Sequence, residues 1–408
     1  MTIPILKDRR ILLGITGSIA AYKAVDLASQ LAQAGAQVDV IMSEAGQRFV
    51  TGLTFQSVTG RRAYTDDDLW GGEAHVLHIG LAEGPDLFVI APVTANTIAK
   101  LAHGRADSLL TITALAARCP LLIAPAMDAG MFEHPATQAN LATLRERGTI
   151  VVGPAEGRMA SGLVGMGRMV EPTELFGRIR LALGRKGPLV GQVVVVTAGG
   201  TQEPIDPVRV VANHSSGKQG FAMAQSALDR GARVILITGP VCIPAPVGVE
   251  RVDVGTAAEM RDAVLSVVDS ADALLMVAAV ADFRPTTAAQ DKIKRRRGVP
   301  EVVLAPTDDI LELVAKQRKK TGHPTVVVGF AAESQDLVEN ARTKLKEKSL
   351  SLIVANDITD TKAGFAVDTN QVTLLDEAGN CEEFPLMSKV EVAELILDKV
   401  VELLDVEN

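Results

Sequence analysis

The sequence alternates short, uniformly apolar runs with longer segments whose apolar residues recur every three to four positions. A typical stretch reads RRILLGITGSIAAYKAVDLASQLAQAGAQVDVIMS: an apolar run, a glycine turn, an amphipathic helical pattern and a second apolar run. Strands that are apolar on both faces belong to parallel sheets covered by helices on each side. The pattern predicts an α/β chain of doubly wound, Rossmann-like parallel sheets, with ligand sites at the carboxyl ends of the strands.

The length of the chain and a hinge in its middle predict two such sheets. At 408 residues the chain is too long for one ordinary core. The segment LGRKGPLVGQ, residues 183–192, is rich in glycine, proline and lysine, and the strand-and-helix rhythm starts afresh after it with VVVVTAGGT. We therefore predict two domains, residues 1–188 and 189–408, which share a class of architecture without sequence duplication.

Charge and cysteine content argue against several classes of protein. The net charge of −8 argues against a nucleic-acid binder, and the basic run KIKRRR is better suited to a small anion. Cys119, Cys242 and Cys381 form no CxxC pair, so neither a zinc site nor a disulfide framework is indicated. Charges interrupt the amino-terminal apolar segment, and no apolar run reaches membrane length. The sequence therefore predicts a cytoplasmic protein without a membrane or nucleic-acid partner.

Polar residues in the first half follow predicted strands. In the turn ITGSIA, Gly17 and the Ser18 hydroxyl precede a helix, where free backbone N–H groups favour an anion. The spacing G-x-x-G fits one terminal phosphate better than a pyrophosphate, and a serine-capped turn is an equally good explanation. Asn96 and Thr97 follow another strand, where a helix cap at Thr94 is the simpler alternative to a ligand role.

The stretch NHSSGKQGF, residues 213–221, nearly matches the phosphate-binding pattern G-x-x-x-x-G-K-[ST]. Ala212 stands where the first glycine belongs, and Gln219 follows Lys218 where a hydroxyl would bind magnesium. The match to an ATP-hydrolysing loop therefore fails.

Two glycine-rich turns of the second half nevertheless expose backbone N–H groups in concavities suited to phosphate. One contains Gly199 and Gly200; the other contains Gly217. For the second turn, a helix start capped by Ser215 or Ser216 is the alternative.

Longer motifs carry a family resemblance in each half. The first half resembles the flavin-containing cysteine decarboxylases through GITGSIAAYK, APVTANTIAKLAHGRADSLL, APAMDAGMF and GRMASGLVGMGRM. The second half resembles the phosphopantothenate–cysteine ligases through DPVRVVANHSSGKQGFAMA, AAVADFRP, KIK and GFAAES. In this order, over nearly the whole chain, the motifs resemble the bifunctional enzymes of coenzyme A biosynthesis.

For the first half, the resemblance implies a flavodoxin-like domain that binds FMN and decarboxylates a cysteinyl substrate. His78 matches the family's catalytic histidine, as base or carboxylate anchor, a role suited to an imidazole that titrates near neutral pH. Asp128 replaces a motif asparagine and can bond the substrate's amide, or its carboxylate if one of the two is protonated. Ser161 replaces a proton-donating flap cysteine and is expected to position the flap. The implied FMN positions are Gly17, Ser18, Ser43, Thr94, Asn96 and Thr97.

For the second half, the resemblance implies a CTP-dependent ligase. Asn213 would help activate the substrate carboxylate, Lys292 would serve acyl transfer, and Asp282 would hold Mg²⁺ bridging phosphates. Lys344 and Lys348 lie four residues apart, where a solvated helix face is the ordinary alternative. The implied nucleotide positions are Gly199, Gly200, Ser215, Ser216, Gly217, Asp282, Lys292, Asp308, Asp309, Ile310, Leu311, Phe330, Lys344 and Lys348, with Asp308 in place of a usual proline. Residue types alone do not distinguish cytosine from adenine.

The combined expectation is an enzyme that makes 4'-phosphopantetheine from 4'-phosphopantothenate, cysteine and CTP, with FMN and Mg²⁺ as cofactors. The resemblance also implies a homo-oligomer built from trimers, up to a dodecamer, because family members bind FMN between subunits. One alternative keeps the ligase and impairs the decarboxylase, owing to Asp128 and Ser161. A flavin-binding regulatory protein is a second alternative, but it predicts no second catalytic half.

Overall fold

The structure is a computed structural model that describes residues 2–70, 76–159, 162–294, 301–333, 337–357 and 367–406. The chain divides into two compact units, Met1–Gly184 and Arg185–Asn408. The predicted boundary after residue 188 falls in the hinge and is kept as a proposal. No helix within the described ranges combines the length and apolar character needed to cross a bilayer.

The first unit is built on one parallel sheet with the order β3-β2-β1-β4-β5-β6. Without its short edge strand β3, this order is the flavodoxin-like 2-1-3-4-5, and the winding reverses between β1 and β4. An antiparallel hairpin, β7–β8, lies outside the sheet. The strands are β1 (Arg10–Ile15), β2 (Gln37–Met42), β3 (Ala63–Tyr64), β4 (Leu87–Val93), β5 (Leu121–Pro125), β6 (Ile150–Val151), β7 (Ala155–Arg158) and β8 (Val164–Arg168). The helices are α1 (Ala21–Gln33), α2 (Glu44–Gln47), α3 (Gly52–Thr59), α4 (Leu77–Glu83), α5 (Ala95–Ala102), α6 (Leu109–Ala116), α7 (Ala129–Glu133), α8 (Pro135–Glu146) and α9 (Pro172–Gly184).

Both faces of the first sheet are covered, as the apolar strands predict. Leu13 on β1 packs in a core with α1 and α9, including Leu27 and Ile179. Its neighbour Leu12 points to the opposite face and packs in a second core with α5 and α6, which includes Leu109. Each of these buried side chains contributes roughly 1.5–3 kcal/mol, so the two cores fix β1 and β4 at the centre.

The second unit repeats the parallel winding and extends it. Its sheet has the order β13-β12-β9-β14-β17-β18-β20-β21. The first six strands are parallel, β20 pairs antiparallel with β18, and β21 pairs antiparallel with β20. The strands are β9 (Val193–Ala198), β10 (Gln202–Pro204), β11 (Val210–Ala212), β12 (Arg233–Thr238), β13 (Glu250–Asp253), β14 (Ala273–Met276), β15 (Phe283–Pro285), β16 (Leu304–Pro306), β17 (Val326–Glu333), β18 (Leu352–Asp357), β19 (Thr369–Asn370), β20 (Val372–Asp376), β21 (Cys381–Glu383) and β22 (Met387–Ser388). The helices are α10 (Lys218–Asp229), α11 (Ala257–Val267), α12 (Ile310–Thr321), α13 (Leu337–Glu347) and α14 (Lys389–Val406). The doubly wound prediction is confirmed, and the switch point lies between β9 and β14.

Helices cover the two faces of this sheet in separate groups. Helices α11, α12 and α13 share one core with the strands, in which Met260, Val314 and Leu345 pack with Val195 of β9. Helices α10 and α14 pack against each other and against β9 and β17, and none of their residues belongs to that core. The amino termini of α10 and α14 therefore approach the switch point from the face opposite α12.

Candidate active sites

The carboxyl ends of four adjacent strands gather the predicted flavin residues at one edge of the first sheet. Ser43 follows β2, Ser18 follows β1, Thr94 follows β4 and Asp128 follows β5, which are neighbours in the order β2-β1-β4-β5. Thr16, which is 1% exposed, joins two of these loops: its hydroxyl donates to Pro92 O at 2.8 Å and accepts from Thr94 N at 3.1 Å. Sequence reasoning missed Thr16, although it stands directly after a predicted strand.

Two predicted flavin hydroxyls cap helices. Ser43 Oγ accepts from Gly46 N at 3.1 Å and begins α2. Thr94 Oγ1 accepts from Thr97 N at 3.4 Å and begins α5, so the cap at Thr94 that competes with a ligand role is present. Thr97 is buried, with its hydroxyl 3.2 Å from that of Thr94, whereas Asn96 is exposed. Asn96 is thus the residue of this segment whose side chain is available to a ligand.

The turn at Ser18 leaves the start of α1 without a side-chain cap. The N-cap position is Ala20, and Ser18 Oγ accepts from Ala20 N at 3.3 Å. Gly17 packs against helix α2, since a Cβ there would lie 2.4 Å from the Cβ of Ala45. Backbone N–H groups at an uncapped helix start fit an anion such as a terminal phosphate, and the residues present therefore fit the phosphate of FMN.

Ser18 and Asp128 line a common cavity of about 560 Å³. Arg158 and Arg168 of the hairpin β7–β8 also line it, while Ser161, in the connection of this hairpin, lies outside the described residues. Asp128 is the N-cap of α7 and accepts from Gly130 N at 3.1 Å. None of the predicted positions Ser43, His78, Thr94, Asn96 and Thr97 is among the described residues that line this cavity.

A buried lysine supports the same cavity. Lys23 is 7% exposed, and its ammonium donates to Met169 O at 3.1 Å and to Glu171 Oε1 at 2.7 Å. The hydrogen bond from Lys23 lowers the pKa of the Glu171 carboxyl. Lys23 and the two arginines are the described cationic residues that line this cavity with Asp128.

His78 lies in the first turn of α4, and its Nδ1 atom is buried. Within the described ranges this nitrogen has no hydrogen-bond partner. A buried polar atom without a partner costs about 1–3 kcal/mol, and such atoms in native proteins call for a ligand, a water or a catalytic explanation. The position thus fits a residue that meets its partner when substrate binds.

In the second unit, a cavity of about 560 Å³ lies at the switch point between β9 and β14. Its walls come from the turn after β9, the start of α10, the segment 277–282 after β14, the start of α12, and strands β17 and β18. The predicted residues that line it are Gly199, Asn213, Ser215, Ser216, Gly217, Asp282, Asp308, Asp309, Ile310, Leu311, Phe330 and Lys348. Gly200, Lys292 and Lys344 are not lining residues.

The glycine turns of this cavity have the backbone freedom that the sequence indicates. Gly199 and Gly217 have φ angles of +73° and +76°, in the left-handed region that favours glycine. Gly217 is the N-cap of α10 and makes no side-chain cap bond, whereas Ser215 Oγ accepts from Gly217 N at 3.3 Å. The N-cap position is thus a glycine, and neither Ser215 nor Ser216 occupies it. Asn213 Nδ2 donates to Val280 O at 2.9 Å, which joins the loop to the segment after β14.

Ion pairs organise the α12 side of the cavity. Asp309 is the N-cap of α12, and its second carboxylate oxygen pairs with Lys348, while Asp308 pairs with Arg261. Burial lowers the pKa of Lys348, and the negative charge of Asp282 opposes that shift. Lys344 is exposed, as expected for a solvated helix face.

The carboxylates of the described residues do not form a cation site by themselves. Among the residues that the structure describes, no group of three or more His, Cys, Asp or Glu side chains could hold a metal ion. Mg²⁺ is commonly held by one or two carboxylates together with substrate phosphates. Asp282 fits Mg²⁺ as a shared ligand with a nucleotide.

Lys292 is exposed, and the next residue is held by a clamp that sequence reasoning missed. The Asp206 side chain is fully buried and accepts from Ile293 N at 3.1 Å, while Arg209 Nη2 donates to Ile293 O at 2.8 Å. The Arg209 guanidinium holds the pKa of Asp206 well below its usual range. The motif EPIDPVR contains both residues, but a contact 87 positions away in the chain has no local signal.

Comparisons with known proteins agree with the two-unit layout. The family model described as Flavoprotein matches residues 5–183, and that of the DNA/pantothenate metabolism flavoprotein C-terminal domain matches residues 189–404. The Coenzyme A biosynthesis bifunctional protein CoaBC of Bacillus subtilis (strain 168) is 46% identical, covering 97% of each chain. The protein of the same name from Vibrio vulnificus (strain YJ016) is 42% identical, over 97% of this chain and 98% of its own.

A third relative gives the same result. The protein of that name from Mycobacterium tuberculosis (strain ATCC 25618 / H37Rv) is 43% identical and is covered, like this chain, over 96% of its length. Identity at this level extends through both units and the hinge between them. The chain therefore belongs to the family of the bifunctional coenzyme A biosynthesis proteins CoaBC.

Proposed function

We propose that the chain joins 4'-phosphopantothenate to cysteine and then decarboxylates the product to 4'-phosphopantetheine, two steps of coenzyme A biosynthesis. The observation that carries the proposal is the pairing of a flavoprotein unit with a second unit whose switch-point cavity gathers most of the predicted nucleotide positions. A flavin-binding regulatory role is not favoured, because it does not account for the second unit and its cavity. An impaired decarboxylase is also not favoured, because the resemblance to bifunctional proteins extends through both units.

The ligase reaction has two stages in this cavity. The carboxylate of 4'-phosphopantothenate attacks the α-phosphate of CTP, pyrophosphate leaves, and an acyl cytidylate forms. The amine of cysteine then attacks the acyl carbon and CMP leaves, which completes the amide.

The lining residues have distinct tasks in these stages. The turns at Gly199 and Gly217 expose N–H groups to phosphate oxygens, and Asn213 holds the substrate carboxylate near the α-phosphate. Asp282 would hold Mg²⁺ together with the nucleotide phosphates, and Lys292 acts in acyl transfer. The base lies against Phe330 and the start of α12, with CTP as the preferred nucleotide.

The decarboxylase reaction needs an electron sink beside the departing CO₂, and FMN, when bound, supplies it through reversible oxidation of the substrate thiol. Ser18 and the uncapped start of α1 hold the phosphate of the cofactor, and Asn96 binds its polar chain. The Nδ1 atom of His78 anchors the substrate carboxylate or acts as a general base. Asp128, on the wall of the adjoining cavity, accepts from the substrate amide.

Exposed apolar side chains on the first unit support the homo-oligomer built from trimers. Trp70 is 90% exposed, Leu53 70%, Leu115 65% and Tyr22 61%. Large apolar side chains of this kind are commonly buried at subunit interfaces. Light scattering on the purified protein gives its mass, and a monomer would contradict this part of the proposal. A cytoplasmic location is part of the same proposal.

The decisive assay supplies 4'-phosphopantothenate, cysteine and either CTP or ATP, and follows nucleoside monophosphate and CO₂ together. We expect CMP to appear first, CO₂ to follow, and CTP to be used in preference to ATP. Phosphopantothenoylcysteine supplied without nucleotide should release CO₂ directly. A folded, yellow protein that releases neither product would overturn the proposed function, and a colourless one would remove FMN from it.

A further inference from the structure

We propose that Lys218 and Lys389 form a phosphate-binding subsite at the side of the second cavity opposite α12. Both residues line the cavity, and neither is among the nucleotide positions that the family resemblance implies. The identity of the ligand rests on the proposed function, whereas the preference for an anion rests on the arrangement of the two helices that begin at these lysines.

The amino termini of α10 and α14 meet at this subsite. Helix α10 begins at Lys218 and α14 begins at Lys389, with lengths of 12 and 18 residues. Gln219 Nε2 donates to Lys389 O at 3.1 Å, which ties the first turn of one helix to the first residue of the other. The positive ends of two helix dipoles therefore converge on the same side of the cavity, and α10 has no side-chain cap.

Among the described residues, two lysines and one carboxylate lie at this subsite. Lys389 is 6% exposed, so its ammonium is held where water solvates it poorly. Asp368 joins the two lysines, since its Oδ1 accepts from Lys218 Nζ at 2.6 Å and its backbone O accepts from Lys389 N at 3.0 Å. Its carboxylate is 86% exposed and is therefore well solvated.

The described carboxylates that line the cavity are Asp282, to which the proposed function assigns Mg²⁺, and Asp308 and Asp309. Asp308 and Asp309 stand at the start of α12 and pair with Arg261 and Lys348. Glu391, in the first turn of α14, accepts from the backbone N and the hydroxyl of Ser388 at 2.8 Å and 2.7 Å. An anionic ligand is the partner that this side of the cavity best accommodates.

The oxygen of the Gln219 amide also points to a ligand. The Oε1 atom of Gln219, which also lines the cavity, is buried and has no hydrogen-bond partner within the described part of the chain. A suitable ligand would offer phosphate oxygens to the two lysines and an O–H group to the amide oxygen of Gln219. Such a ligand would give all three side chains a partner.

Phosphate is the class of anion that the proposed reaction brings to this cavity. CTP carries a triphosphate and the acid substrate carries a 4'-phosphate, and a compact ammonium charge suits either. Lys218 follows Gly217 at a helix start, the place from which a P-loop lysine reaches phosphates, although the remainder of that motif is absent.

The test compares Lys218→Met and Lys389→Met with the matched control Lys399→Met. Lys399 also lies on α14 but pairs with Glu382 and Glu402 at 3.3 Å and 3.4 Å. Calorimetric titration with CTP, 4'-phosphopantothenate and unphosphorylated pantothenate measures the three dissociation constants. Because a hydrogen bond to a charged group is lost, we expect one phosphorylated ligand to bind about tenfold or more weakly to each subsite variant. Pantothenate binding and the Lys399→Met control should be unchanged.

The pattern of losses identifies the phosphate. If only CTP binds more weakly, the subsite holds the triphosphate. If only 4'-phosphopantothenate binds more weakly, the subsite holds the 4'-phosphate. If Lys389→Met does not fold, Lys218→Met still tests the subsite, because Lys218 is half-exposed. Folded variants that bind both ligands like the wild type would overturn the subsite. If the wild type bound neither ligand, the proposed function would fail instead. Inorganic pyrophosphate would then be the probe, and equal binding by wild type and variants would reject the subsite.

Discussion

The two units share one order of parallel strands but group their predicted ligand residues differently. Both sheets wind in the order 3-2-1-4-5-6, with switch points at β1/β4 and β9/β14. In the second unit, a single cavity at the switch point gathers residues from the turn after β9 to β18. In the first unit, Ser18 and Asp128 line a cavity, while Ser43, Thr94 and Asn96 lie outside its lining at the ends of neighbouring strands. Strand order therefore determines which loops meet, but it does not determine whether they enclose a site.

The segments that follow the strands account for the difference. In the first unit, β2 and β4 pass directly into helices capped by Ser43 and Thr94, so these loops stay short. In the second unit, the segment 277–282 lies along the glycine turn, where Ala279 N donates to Gly199 O at 2.8 Å. The last helix, α14, then returns to the same edge and brings Lys389 into the cavity wall. The second unit thus gathers most of its predicted site residues in one cavity, whereas the first has exposed apolar side chains suited to a neighbouring subunit.

The substitution with the largest expected effect, Lys292→Ala, tests whether the two units work independently. We expect Lys292→Ala to slow amide formation by about a hundredfold or more, a typical contribution of a positioned acid–base group, while pyrophosphate release continues. Pyrophosphate and amide are measured separately, with Lys294→Ala in the same basic run as the control. Phosphopantothenoylcysteine supplied directly should lose CO₂ at the wild-type rate. Unimpaired amide formation would remove Lys292 from the mechanism.

The sequence predicts the sheets and the turns well because their signals are local. Apolar strands, amphipathic helices and glycines at strand ends lie within a few residues of one another. The glycine-rich turns are visible in the motif, and Gly199 and Gly217 are left-handed in the structure. The cap at Thr94 could likewise be foreseen, because it bonds a residue three positions away. What local patterns could not decide was whether the cap or a ligand role best explains Thr94.

Contacts between distant segments had no such signal. Lys218 meets Asp368 across 150 positions, and Gln219 meets Lys389 across 170. The antiparallel strands β20 and β21 bring these late segments back to the sheet, and sequence reasoning did not predict them. The family resemblance supplied the nucleotide positions that spacing alone could not, but it did not indicate the wall formed by α10 and α14.

An intermediate effect is expected for the phosphate end of the flavin site. Ser18→Ala removes a hydroxyl beside the uncapped start of α1, and a hydrogen bond to a charged phosphate is worth about tenfold in affinity. FMN binding is measured by fluorescence quenching during reconstitution of the flavin-free protein. Ser29→Ala on the same helix, where the hydroxyl accepts from Gln33 at 2.9 Å, is the matched control. Equal losses in both variants would mean that Ser18 acts through the fold of α1 and not through the cofactor.

A smaller effect is expected for the clamp beside Lys292. Asp206→Asn removes the charge that holds Arg209 and weakens both bonds to Ile293, so acyl transfer should slow by less than about tenfold. Pyrophosphate release should not change, and exchange of the Ile293 amide hydrogen, followed by mass spectrometry, should become faster. Glu250→Gln, which breaks an exposed pair with Arg233 at 2.8 Å, is the control. An unchanged exchange rate would show that the clamp does not restrain this segment.

The clamp also has a definite dependence on pH. The folded pKa of Asp206 is depressed, so its stabilising contribution is fully present above the unfolded value of about 3.9. The contribution is lost as the pH falls through the lower folded value. Between neutral pH and about pH 5, Ile293 exchange corrected for the intrinsic rate should therefore be constant in the wild type. A loss of protection within that range would contradict the ion pair.

The smallest expected effect concerns Ser161, in the connection between β7 and β8 and outside the described residues. A hydroxyl is a far weaker acid than the thiol of the family's flap cysteine, so this serine is not expected to deliver a proton. Ser161→Ala should leave the rate of CO₂ release nearly unchanged. Any decrease should be much less than tenfold, which corresponds to about 1.4 kcal/mol in activation free energy. Ser161→Cys should instead speed the final reduction without altering CO₂ release, measured as 4'-phosphopantetheine formed per CO₂. If Ser161→Ala abolished CO₂ release, the serine would act before the carboxylate leaves, and the first unit would depend on its flap as closely as the second depends on α14.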